Sequence, residues 1–263
     1  MKICYLTTLA PYGKGETFVL REIDAVQALG HEVVVVPLRP EKDCLDDRYT
    51  VFRLGAHSGR CYRMAARLFC RHPLSCLKPC LRMLSRAGGL RKAVKNLFFL
   101  PKALAVAQYL RASGDFDFIH AHWLATVSTA GYIASSITGI PWGMTGHRWD
   151  LYENNGIREK ARTAQFVRTI SQKGFDYVQT LVCEGDRGKV VKIFLGIDLP
   201  NELPAAPARR EGGCFALCMP ANFVEIRATA MLWRRSACWR RAACAMFTAR
   251  FMEKGKPGRK CSR

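Results

Sequence analysis

Short apolar runs recur along this chain, separated by longer stretches in which apolar residues return every three or four positions. KICYLTT (2–8) is a buried first strand, and TFVLREIDAVQALG (17–30) an amphipathic helix that ends at Gly30. HEVVVVPL (31–38) is almost wholly apolar, as a strand covered on both sheet faces must be. TVFRL (50–54) reads as a short strand. Between Phe116 and Ile170, FDFIHA, PWGMTG and QFVRTI alternate with helical stretches. This is the rhythm of strands joined by crossovers in a parallel sheet. SQKGFDYVQTL is a helix capped by Ser171, and KVVKIF a further strand. The fold class expected is α/β: a Rossmann-like parallel sheet over 1–200, with helices on both faces.

The pattern loosens after that. LGIDLPNELPAAPARREGG reads as a linker, placed at 201–213. CFALCMPANFVEI (214–226) would open a second α/β domain, and from Arg227 to Arg263 periodicity disappears.

Composition and charge add three constraints. At 49% hydrophobic residues the 263-residue chain has ample material for a core. Its opening apolar run stops at Pro11, too short for a signal peptide or membrane span, and the expected location is the cytoplasm. Twelve cysteines in so long a chain read as reduced thiols. Cys70, His72, Cys76 and Cys80 come nearest to a metal pattern but contain no C-x2-C pair, and no metal is expected.

The net charge of +20 sits in two places. Segment 53–111 holds thirteen Lys or Arg and no acid; segment 227–263 holds eleven and one acid, Glu253. In the first, Arg60, Arg63, Arg67 and Arg71, then Lys78, Arg82 and Arg86, recur at helical spacing beside Leu74, Leu77, Leu81 and Leu84. Gly88-Gly89 breaks the pattern, and a further helix runs through KALAVAQYLRASG (102–114). Three readings of this basic helical insert stay open: a solvated face, a surface for anionic lipid headgroups, or a nucleic-acid patch. Stacking aromatics and DNA or RNA motifs are absent, so no nucleic acid is expected.

Candidate chemistry collects where strands end. His120 and His122 close FDFIHAH, and His147, Arg148 and Asp150 follow PWGMTG. The carboxyl edge of an open parallel sheet is where ligands bind. His122, nearer the strand end, is the candidate, with His120 expected on the opposite face. Asp150 fits equally an N-cap of LYENNGI or a substrate contact. Gly13 and Gly15 lie between the first strand and helix, where backbone amides suit an anion, though the loop is neither G-x-G-x-x-G nor a Walker loop.

In their order and spacing, GETFVLREI, LGHEVVVV, FDFIHAHW, GIPWGMTGHRWDLY, AQFVRTIS and KVVKIFLGIDL resemble the family 4 glycosyltransferases of the GT-B type. The resemblance covers Met1 to about Ile226, and its T-x-H-x-x-D arrangement is similar to members that build exopolysaccharide on lipid-linked acceptors. It implies two Rossmann-like domains, the N-terminal one binding a lipid-linked or glycan acceptor and the C-terminal one a nucleotide-sugar. It further implies retaining transfer of a hexosyl-type sugar without metal or cofactor, and work at the inner face of the cell membrane. His147 matches the histidine beside the transferred sugar, and Glu16 and Thr17 match the family's loop at the first helix; with Gly13, Gly15, His122, Arg148 and Asp150 they are the candidates for the acceptor side. Thr17 fits a first-turn residue as well.

The resemblance then breaks. Asn222 and Arg227 stand where the family has an arginine and a lysine that grip donor diphosphate, and its C-terminal glutamate pair has no counterpart. RATAMLWRRSA, encoded with one A restored before it, reads KGHRYALEAVC, which opens with the family's Lys-Gly helix. The sequence therefore reads as an acceptor domain followed, from 227 to 263, by an out-of-frame, disordered basic tail that leaves the chain an inactive fragment. The competing reading is a non-catalytic basic module for anionic membrane or nucleic acid.

Overall fold

The computed structural model describes residues 1–12, 16–41 and 48–196. Gly13, Gly15, the linker, Asn222, Arg227 and the basic tail lie outside the described residues. Seven parallel strands form one sheet in the order β3-β2-β1-β4-β5-β6-β7. They are β1 (Lys2–Thr7), β2 (Glu32–Pro37), β3 (Thr50–Val51), β4 (Phe118–His122), β5 (Trp142–Gly146), β6 (Val167–Thr169) and β7 (Val190–Lys192). The order reverses between β1 and β4, which opens a crevice at their carboxyl ends.

Period-two alternation splits the strand side chains between two cores. Tyr5, Val33 and Val35 face α1 (Thr17–Ala28), whose Val19 and Ile23 lie one turn apart on its buried side. Cys4, Leu6, Val34, Val36, Ile119 and Ala121 face the other way. That larger core also takes residues from α2 (Gly59–Arg71), α3 (Pro73–Ser85), α4 (Leu90–Ser113) and α5 (Thr126–Thr138). Helices thus cover both faces, as the apolar strands require.

Three elements differ from expectation. β3 is only two residues, although Phe52 still donates to Val35 O. α4 begins at Leu90 rather than Lys102 and carries Pro101 inside it. Its length comes from packing on α5 and α2, which outweighs one missing backbone hydrogen bond. Between β5 and β6 lie two short helices, α6 (Arg148–Glu153) and α7 (Ile157–Thr163). The turn between them needs left-handed backbone at Asn154 and Gly156, and a Cβ at Gly156 would come 3.1 Å from Arg86 O. The buried amides of Asn96 and Asn155 bond reciprocally (2.9 and 2.7 Å), fixing that turn to α4. Ser171 caps α8 (Gln172–Leu181) as expected, accepting from Gly174 N at 3.1 Å.

Candidate functional site

The first helix begins at the sheet's carboxyl edge, and Glu16 stands at its N-cap. Its carboxylate accepts from Leu9 N (2.8 Å), Ala10 N (2.7 Å) and the indole Nε1 of Trp123 (2.7 Å). One buried acid therefore ties the β1–α1 loop to the β4–α5 loop. Thr17 is exposed as the first residue of α1.

Strand β4 places both of its histidines on the α1 side of the sheet. Residues two apart on a strand share a face, so the expected separation of His120 and His122 is wrong. Their rings lie 5.9 Å apart and nearly parallel. His120 stacks on Tyr5 at 4.6 Å and shares a 2.9 Å hydrogen bond with Thr145 Oγ1. His122 Nε2 lies 2.7 Å from His147 Nε2. Phe18 of α1 and Trp123 close over His147, with ring centroids at 4.9 and 4.5 Å.

The acid behind this cluster is Glu22 of α1. Tyr5 donates to it at 2.9 Å and Arg168 of β6 pairs with it. Its Oε1 faces His120 Nε2 at 3.7 Å and His122 Nδ1 at 3.9 Å. That negative charge favours the proton on His122 Nδ1, leaving His122 Nε2 to accept from His147 Nε2–H. Burial pushes His120 and His147 down to about 4 and His122 well below its ordinary value. All three rings are neutral at pH 7. Glu22, His120 and His122 bring ligand atoms within 4.8 Å of one another and could hold a metal ion. Arg168 already balances the Glu22 charge, and Thr145 engages the His120 nitrogen.

His147 is the N-cap of α6, and Asp150 is its third residue. Asp150 is therefore not the N-cap itself but the acid that completes the capping box with His147, and it also lines a cavity beside Trp123. It is buried and accepts from His147 N at 2.7 Å and from Leu124 N. Burial raises its carboxyl to about 7 against the opposing pull of the backbone N–H groups. The fully buried Lys160 of α7 donates to Leu124 O (2.9 Å) and Ala125 O (2.8 Å), and burial pushes its ammonium well below the usual range. The β4–α5 loop is thus gripped from both sides. Arg148 is exposed at the start of α6.

Trp123 has φ +108°, a strained value for a bulky residue. Its N–H donates to Thr145 O at 2.8 Å while its indole reaches Glu16. Beside it opens a cavity of roughly 230 Å³ lined by Arg39, Lys95, Phe99, Trp123, Thr126 and Trp149, among others. Thr126 Oγ1 is buried and makes no hydrogen bond. Asp150 and Glu153 also line the cavity, and Lys95 is paired with Glu153 at 2.9 Å, so the wall combines aromatic faces, the Arg39 cation, an ion pair and a free hydroxyl, a mix that suits a polar ring such as a sugar.

Sequence reasoning reached Glu16, His122, His147 and Asp150 but missed Tyr5, Glu22, Trp123, Lys160 and Arg168. Trp123 had a signal, an aromatic directly after a strand-end histidine. Glu22 and Arg168 are separated by 146 positions and had none.

No family model and no curated protein matches this sequence. Among solved structures, MurG from Acinetobacter baumannii superposes with a TM-score of 0.42 at 11% identity, over 78% of this chain and 48% of that one. The chain thus spans about half the length of that structure. Sucrose-phosphate synthase from Thermosynechococcus elongatus gives a TM-score of 0.43 at 15% identity, over 74% of this chain and 90% of that one. At these values function rests on the chain's own residues.

Proposed function

We propose that the described domain is the acceptor-binding half of a retaining glycosyltransferase that moves a hexosyl-type sugar from a nucleotide-sugar to a lipid-linked or glycan acceptor in exopolysaccharide synthesis. One observation carries this reading. The spaced segments that resemble the family converge, through Glu16, Trp123, His122, His147 and Asp150, on one hydrogen-bonded cluster at the sheet's carboxyl edge. The adjacent cavity offers Trp123 and Trp149 as stacking faces, with Arg39 for an acceptor phosphate.

The residues divide the work. Asp150 and Lys160 fix the β4–α5 loop, Glu16 fixes the indole of Trp123, and together they hold an acceptor platform before substrate arrives. His147 is neutral, and its Nε2 is engaged with His122 Nε2 at 2.7 Å. To donate to a sugar or to a leaving phosphate it must exchange that partner. In transfer the bond from C1 to the diphosphate oxygen breaks with its electron pair on oxygen. The acceptor oxygen bonds to C1 on the same face, and the acceptor proton passes to the leaving phosphate. No metal is needed for that balance. The donor-binding half is assigned to 214–226 and the frame-restored sequence that follows Ile226, so the present chain is an inactive fragment, cytoplasmic and peripheral to the membrane.

A transfer assay with a panel of nucleotide-sugars and lipid-linked acceptors tests this on two chains, the present one and one with a single nucleotide restored at codon 227. The expected result is turnover only in the restored chain. Turnover by the present chain would overturn the fragment reading, and silence from both would overturn the glycosyl-transfer reading.

A further inference from the structure

Helices α3 and α4 are each apolar on two sides, and α2 adds two half-exposed aromatics to a basic outer side. Their inner sides, including Leu68, Cys76, Met83, Phe99 and Leu110, join the main core. A surface helix needs no second apolar stripe. Yet α3 exposes Leu74, Leu77 and Leu81, one turn apart, and α4 exposes Leu90, Val94, Leu97 and Phe98 at the same spacing. Tyr62 and Phe69 do so on α2. Leu74 and Leu90 are each 81% exposed. These nine residues make up most of the fifteen large apolar side chains exposed among the described residues, so the exposure is concentrated rather than scattered. His57 bridges α2 to α4, with ring centroids 6.0 Å from Tyr62 and 4.1 Å from Phe98.

The charge of the same helices selects a partner. Arg63, Arg67, Arg71, Lys78, Arg86 and Arg91 are exposed there, and segment 53–111 contains no carboxylate. Two other cations of the segment, Arg82 and Lys95, are paired with Glu159 and Glu153. Leucines gain nothing from a nucleic-acid backbone, whereas cations beside an aliphatic stripe match the boundary between anionic headgroups and acyl chains. Among the described residues no helix is long and apolar enough to cross a membrane, so the face would lie on the bilayer rather than span it.

We infer that the outer face of α2, α3 and α4 docks on a bilayer surface rich in anionic lipid, its leucines entering the headgroup boundary and its arginines and lysines pairing with lipid phosphates. The docking does not depend on the glycosyltransferase reading. It is consistent with it, because Lys95 and Phe99 line the cavity while Val94, Leu97 and Phe98 on adjoining positions of α4 point outward. A lipid-held acceptor would then need to travel only across one helix.

Vesicle flotation of the full chain tests this with phosphatidylcholine alone, with added phosphatidylglycerol, and at low and high salt. Binding is expected on the phosphatidylglycerol vesicles and is weakened by salt. The variant Leu74→Ser/Leu77→Ser/Leu81→Ser should weaken it about 10-fold or more at unchanged circular dichroism, because these exposed side chains stand outside the core cluster. Arg63→Glu/Arg67→Glu/Lys78→Glu should do the same at low salt. The eleven basic residues of 227–263 are present in every variant, so binding that survives both triple changes belongs to them and overturns the proposal. Equal binding to both vesicle types overturns it, as does retention on double-stranded DNA without flotation.

Discussion

The carboxyl-edge cluster and the outer face of α2–α4 break the usual rule of burial in opposite directions. At the edge, polar and charged groups are inside: Glu16, His122, His147, Asp150 and Lys160 are all buried, and nearly every polar atom among them is paired. On the outer face, leucines and phenylalanine are outside, among cations with no acid in their segment. A buried polar network that satisfies itself fixes a loop. An exposed apolar stripe satisfies nothing within the chain and is explained only by what covers it. The two inversions therefore point to different jobs, holding a shape and meeting a surface.

Substitutions at the edge should cost folding stability, and those on the face should not. The largest effect is expected for Lys160→Ala, which leaves the buried carbonyls of Leu124 and Ala125 without donors; a loss of about 3–5 kcal/mol in urea unfolding follows. Asp150→Ala removes the acceptor for two backbone N–H groups and should cost about 2–4 kcal/mol, with Asp150→Asn recovering part of it. Trp123→Phe keeps the ring but loses the bond to Glu16, for about 1.5–3 kcal/mol. If all three variants unfold like the parent chain, the edge is not the structural lock described here.

Acid sharpens the same comparison. His120 and His147 have folded values near 4, below the unfolded 6.5, so their contribution is complete above pH 6.5 and disappears as pH falls through 4. Asp150 works the other way: raised to about 7, it stabilises most below its unfolded value of 3.8 and loses that contribution as pH rises through 7. The histidines outnumber it, so the unfolding midpoint should drop between pH 6.5 and 4, and less steeply in His120→Gln. A flat profile would mean that the histidines are solvated. The smallest effect is expected on the outer face, where Leu74→Ser and Leu90→Ser, both at positions 81% exposed, should each change stability by less than about 0.5 kcal/mol.

Much of the architecture was legible because it rests on local periodicity. β1, β2, β4, β5 and β6, the cap at Ser171 and the helix end at Gly30 follow from apolar runs and the residues that punctuate them. α4 extends twelve residues further toward its N-terminus than the reading of KALAVAQYLRASG, because its neighbours bury the helix on both sides of Pro101. The histidine pair was misplaced by treating residues two apart as facing opposite ways. The members of the site that could not be read were those joined by folding alone. Glu22 lies on α1, Arg168 on β6 and Lys160 on α7, and only the sheet order brings them to the histidines and the β4–α5 loop.

Glycosyl transfer by the frame-restored chain, measured as kcat/KM for parent, Trp123→Ala and His147→Ala, tests the central claim most directly. The account predicts turnover in the parent and a fall of about 100-fold or more in both variants while they remain folded. Turnover unaffected by either change would place the chemistry elsewhere and contradict the assignment of this edge as the site.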